Sequence, residues 1–133
     1  MYILHSCNIW CDMNILIIDD EKFLVENLAR YLRQKIATEI NCVNGSEEAM
    51  KLIDKEKYDC IICDLNLSDQ SDGELILNII EKVPNQKFIV ISAQEIPRQI
   101  LRENKTNIAA YFEKPFDMEE IKKSIQSIKE EAQ

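Results

Sequence analysis

The chain has 133 residues, 46% of them hydrophobic, and a formal net charge of −8. That length suits one domain with a sizeable core, and no apolar run is long enough to insert into a bilayer. The acidic balance, with no cluster of Lys or Arg, argues against nonspecific binding to nucleic acid, whose phosphates are met by basic patches.

Only two Gly and three Pro leave little material for linkers, and no repeat or low-complexity stretch marks a second domain. The five cysteines, Cys7, Cys11, Cys42, Cys60 and Cys63, are odd in number and follow no secretory signal, which points to a reducing cytoplasm. Cys60 and Cys63 form a C-x-x-C. Within a strand, residues three apart face opposite sides, so this pair is read as core packing and not as a metal or redox site.

Residues 1–12 lack the charged start and long apolar centre of a signal peptide. They read as an appendage: a loose leader, a docking element or the product of an upstream start. His5, the single histidine, lies here with no acid or cysteine at metal-ligand spacing, and no catalytic role is assigned to it.

Residues 13–133 follow a cleaner pattern. Asn14 to Ile18 is a short apolar run ending in acid, Asp19-Asp20-Glu21, and reads as a first strand and its turn. From Glu21 the period becomes helical, with Leu24, Leu28, Tyr31 and Leu32 on one face. Thr38 to Val43, mixed in polarity, reads as an edge strand. Asn44-Gly45-Ser46 supplies a turn and an N-cap for a helix with Ala49, Leu52 and Ile53 as its buried stripe.

Tyr58 to Cys63 is nearly all apolar and ends on Asp64, as expected of a strand covered on both faces. A polar loop from Ser68 to Gly73 follows, then a helix packed through Leu75, Ile76, Ile79, Ile80 and Val83. Phe88 to Ile91 is the next buried strand and finishes on Ser92. Pro97 is placed to start a short helix through Ile100 and Leu101. Ile108 to Phe112 is the fifth strand, leading into Glu113-Lys114-Pro115-Phe116. Asp117 caps a last helix with Met118, Ile121, Ile125 and Ile128 at helical spacing. Five strands alternating with five helices give an α/β fold: a parallel sheet with helices on both faces.

In such open sheets ligands bind beyond the carboxyl ends of the strands. With the flavodoxin-like order 2-1-3-4-5, the first and third strands meet at the switch point, and Asp19, Asp20 and Asp64 share one crevice. Two like charges at about 4 Å repel by about 4 kcal/mol at an effective dielectric of 20. A divalent cation relieves that crowding, and hard oxygen donors with open positions favour Mg²⁺. An exposed carboxylate beside Mg²⁺, Lys114 and the Ser92 hydroxyl is equipment for phosphoryl chemistry: Asp64 is the candidate nucleophile, with Mg²⁺ and Lys114 absorbing charge on the phosphoryl oxygens.

Four pieces in this order and spacing, Ile17-Ile18-Asp19-Asp20-Glu21, Ile61-Ile62-Cys63-Asp64, Ile89-Val90-Ile91-Ser92-Ala93 and Tyr111-Phe112-Glu113-Lys114-Pro115-Phe116, resemble a response-regulator receiver domain of two-component signalling. The resemblance runs from Met13 to about Ile128. It implies that Asp64 is phosphorylated from the phosphohistidine of a sensor histidine kinase or phosphotransfer protein. It also implies that Asp20 binds Mg²⁺ directly, Asp19 chiefly through water, and that the Asn66 backbone carbonyl completes the protein ligands. Ser92 and Tyr111 match the switch pair, Lys114 the phosphate-contacting lysine, and the Lys114–Pro115 bond is expected to be cis. Such domains commonly have Pro where this chain has Ser68, and one residue fewer before the Gly matching Gly73. The loop after Asp64 is therefore expected to be longer and less rigid, which bears on metal affinity and phosphoryl lifetime.

After Pro115 one helix remains before Gln133, so a stand-alone cytoplasmic regulator is expected, signalling through a downstream protein docked on the face of the fourth and fifth strands and their helices. Two alternatives remain. A phosphatase of the haloacid-dehalogenase type also uses an Asp nucleophile, Mg²⁺, a hydroxyl and a Lys. Its nucleophile follows the first strand with a second Asp two positions on, where this chain has Asn66. A receiver-shaped module that binds partners without phosphorylation is the other.

Overall fold

The computed structural model describes residues 13–36, 38–70 and 73–132. The leader at 1–12, with His5, Cys7 and Cys11, lies outside the described residues. The strands are β1 (Met13–Ile18), β2 (Thr38–Val43), β3 (Cys60–Asp64), β4 (Phe88–Ser92) and β5 (Ile108–Glu113). The helices are α1 (Lys22–Lys35), α2 (Ser46–Lys55), α3 (Glu74–Lys82), α4 (Arg98–Glu103) and α5 (Met118–Ala132).

All strand pairs are parallel, in the order β2-β1-β3-β4-β5. This is the flavodoxin-like doubly wound sheet indicated by the alternation of runs. Every residue of β3 and β4 is buried, as expected for strands with helices on both faces, whereas β5 alternates between covered and open positions as an edge strand does.

Two apolar clusters lie on opposite faces of the sheet. One joins Ile15, Ile17, Ile62, Ile89 and Ile91 to Val25, Leu28 and Leu32 of α1 and Ile121, Ile125 and Ile128 of α5. The other joins Leu16, Ile18, Ile61, Phe88 and Val90 to Ala49 and Ile53 of α2 and Leu75, Ile76 and Ile79 of α3. Cys60 belongs to the first cluster and Cys63 to the second, so the C-x-x-C is split across the sheet. Burial pushes both thiols well above their ordinary pKa, which suits inert packing residues.

Two local expectations change. The stripe of α1 is centred on Val25, Leu28, Ala29 and Leu32, while Leu24 and Tyr31 flank it half-buried. Tyr31 is drawn aside because its hydroxyl donates a short hydrogen bond to Glu119 on α5. At α2 the N-cap is Gly45 with no side-chain cap. Ser46 is already helical, and both its backbone N–H (2.9 Å) and its hydroxyl (2.7 Å) donate to Asp69 from the loop after β3. Asp117 does cap α5, its Oδ1 accepting from the N–H of Glu119 at 2.9 Å.

Candidate phosphoacceptor and cation site

Strand register sets the site. Ile18 pairs with Cys63, so the next residues, Asp19 and Asp64, leave neighbouring strands side by side. Asp64 pairs with Ile91, which puts Ser92 one step further along β4, and Ser92 pairs with Glu113, the residue before Lys114. The backbone N–H of Lys114 donates to the Ser92 carbonyl at 2.7 Å, and the Lys114–Pro115 bond is cis.

The lysine crosses the end of β4 to reach the acids. Its Nζ donates to Asp64 Oδ2 at 3.0 Å and lies 2.9 Å from Asp19 Oδ2. It also makes a short charged hydrogen bond to Glu21. Burial by itself would lower the Lys114 pKa, but Glu21, Asp19 and Asp64 outweigh it and hold the ammonium above its ordinary range. Asp19, only 1% exposed, has its pKa raised by burial, against the opposing pull of the Glu21 N–H and of Lys114. Glu21 was not singled out from the sequence. Its place directly after the acidic pair was the available signal.

One oxygen from each of Asp19, Asp20 and Asp64 can be chosen so that all lie within 4.8 Å of one another. An octahedral cation with oxygens at about 2.1 Å spans about 4.2 Å between opposite ligands, so the cluster is of ion size. Asp19 Oδ2 is buried, and its close partner among the described residues is the Lys114 ammonium at 2.9 Å. A buried carboxylate oxygen so placed is a natural ligand for a hard cation. The donor set therefore fits a divalent ion such as Mg²⁺.

The remaining acceptors are held by backbone. Asp64 Oδ1 accepts from the Asn66 N–H at 3.0 Å, and Asp19 Oδ1 from the Glu21 N–H at 2.8 Å. Ser92 is fully buried, its hydroxyl accepting from the Gln94 N–H at 3.0 Å. Tyr111, on the outer face of β5, is 51% exposed. Through Gln70 the loop after Asp64 has several anchors: Leu65 and Leu67 are buried, Ser68 grips Asp20, and Asp69 holds Ser46. These anchors come from side chains of the loop itself, and no periodic pattern announces them.

The family model for the response regulator receiver domain matches residues 15–126. The chain is 31% identical over 126 residues to the sensory transduction protein LytT of Bacillus anthracis, an alignment covering 91% of this chain and 49% of that protein. It thus spans about half the length of that relative, and less than that of others. Among solved structures, the receiver domain of the Francisella response regulator 1452 superposes with a TM-score of 0.81 at 19% identity, covering 92% of this chain and all of that one. A response regulator from Burkholderia pseudomallei, solved with a phosphorylated aspartic acid, a calcium ion and citrate, gives a TM-score of 0.75 at 27% identity over 91% of this chain and 71% of that one. These matches favour a receiver domain over the alternative of a haloacid-dehalogenase-type phosphatase as the account of the acids. With the match extending over most of its length, the chain belongs to the response regulator receiver domain family.

Proposed function

We propose that Asp64 is the phosphoacceptor of a switch module, taking its phosphoryl group from the phosphohistidine of a sensor kinase or phosphotransfer protein. The observation that carries this is the meeting of Lys114 with Asp64 at 3.0 Å beside an acidic trio of ion size. An oxygen of the Asp64 carboxylate attacks phosphorus, the P–N bond to the donor imidazole breaks, and the imidazole leaves with a proton while an acyl phosphate forms on Asp64. Lys114, already held among the acids, supplies positive charge to the phosphoryl oxygens and gives up part of its contact with Asp64 as they arrive. Asp19, Asp20, Asp64 and the Asn66 backbone carbonyl would hold Mg²⁺, which neutralises charge developing on the transferring group.

The Ser92 hydroxyl then hydrogen-bonds the new phosphoryl group, a contact present in one state only, and Tyr111 turns inward as Ser92 moves. The face of β4 and β5 with their helices carries that change to a downstream protein in the cytoplasm. Its adjoining helix α4 has six residues, none of them fully buried, and only Ile100 and Leu101 pack partly against the core, so less packing energy opposes its displacement than that of the longer helices.

The test is incubation with Mg²⁺ and acetyl phosphate, read by intact mass, on the wild-type protein and on Asp64→Asn. A phosphoryl-sized gain that disappears in the variant supports acceptance at Asp64. An unchanged mass in both leaves the partner-binding module without phosphorylation as the better account.

A further inference from the structure

Ser68 lies in the loop between β3 and α3, exposed, and both of its hydrogen-bond donors go to one atom. Its backbone N–H reaches Asp20 Oδ2 at 3.2 Å, and its hydroxyl makes a short hydrogen bond to the same oxygen. The loop is fixed on either side of this clip. Leu67 donates to the Gln70 carbonyl at 2.8 Å, and Asp69 accepts both donors of Ser46 at the start of α2.

Asp20 is the exposed member of the acidic trio, and exposed Asp side chains on turns are the least constrained. Asp19 and Asp64 are buried and engaged by backbone N–H groups and Lys114, so their oxygens are already placed. Among the described residues, Asp20 has no such support except Ser68. A carboxylate oxygen offers two lone-pair sites; Ser68 occupies those of Oδ2 and leaves those of Oδ1 for another partner. Ser68 is also two residues from Asn66, so the clip ties the loop bearing that carbonyl to the turn bearing Asp20.

We infer that Ser68 is a positioning residue of the divalent-cation site: by gripping Asp20 Oδ2 it sets the carboxylate and the Asn66 turn in register before an ion arrives. This rests on the reading of Asp19, Asp20 and Asp64 as cation ligands. Groups that orient metal-binding carboxylates in this way typically change affinity by about 10–100-fold when removed.

The experiment is calorimetric titration of Mg²⁺, and separately Mn²⁺, into wild-type, Ser68→Ala and Ser68→Thr protein, with a metal-free thermal melt of each. Ser68→Ala is expected to bind either ion about 10-fold or more weakly. Ser68→Thr keeps both donors and is expected to restore wild-type affinity, with all three metal-free melts alike because Ser68 is exposed. Equal affinity in wild type and Ser68→Ala overturns the inference. Tighter binding by Ser68→Ala also overturns it, showing that Ser68 competes with the ion for Asp20. If Ser68→Ala lowers the metal-free melt and Ser68→Thr fails to restore affinity, the role is structural and the inference falls. Absence of binding by the wild-type protein would overturn the cation reading itself, a result distinct from the other three.

Discussion

Lys114 donates to Asp64 at 3.0 Å although β4 stands between the strands that carry them. The same ammonium lies 2.9 Å from Asp19, so one cation spans the first and third strand ends from the fifth. This arrangement makes Lys114 a partner of buried charge before any phosphoryl group arrives.

Replacing Lys114 with Ala leaves Asp19 and Asp64 facing each other uncompensated. The metal-free protein should lose about 1–3 kcal/mol of stability by urea denaturation. Mg²⁺ should raise the Tm of the variant more than that of the wild type, because the ion then supplies the missing charge. Phosphorylation by acetyl phosphate should slow by about 10²-fold in a mass-resolved time course.

Gly73 has φ of 77°, in the left-handed region, and a Cβ there would stand 2.9 Å from Leu65 Cδ1. Gly73→Ala should cost about 1–2 kcal/mol in a denaturant melt. Leu65 follows the acceptor and is buried, so the variant should also slow Asp64 phosphorylation. A Gly73→Ala protein with wild-type stability and rate would show that the turn tolerates a side chain.

Cys60 and Cys63 are buried in separate clusters, with thiol pKa values raised chiefly by burial. Iodoacetamide treatment of the native protein followed by peptide mass mapping should leave both unmodified, and denaturant should expose both. No disulfide between them should form under mild oxidation, since they face opposite sides of β3.

The link between α1 and α5 has its own pH signature. The hydrogen bond to Glu119 pushes the Tyr31 phenol from 10.0 up to about 12, and the same bond holds the Glu119 carboxyl below its ordinary 4.5. For Tyr31 the folded pKa is raised, so its contribution is complete below pH 10 and is lost as pH climbs through about 12. For Glu119 the folded pKa is depressed, so the contribution is complete above pH 4.5 and fades as pH falls through the folded value. Phenolate absorbance, taken as the difference between wild type and Tyr31→Phe, should show Tyr31 ionising near 12, and Glu119→Gln should bring it back toward 10.0.

The sequence by itself determined the alternation of strands and helices, the doubly wound sheet and the placing of Asp19, Asp20, Asp64, Ser92 and Lys114 at strand ends. Burial on the two faces of a sheet imposes continuous apolar runs, and the polar residue that ends each run marks where the chain leaves the core. Only the tertiary structure decided how Lys114 divides itself among Asp19, Glu21 and Asp64, that Ser46 and Asp69 join α2 to the loop after β3, and that Ser68 clips Asp20. Those contacts are made between side chains of separate turns, where no period of burial constrains the sequence, and they form only once the sheet register has brought the turns together.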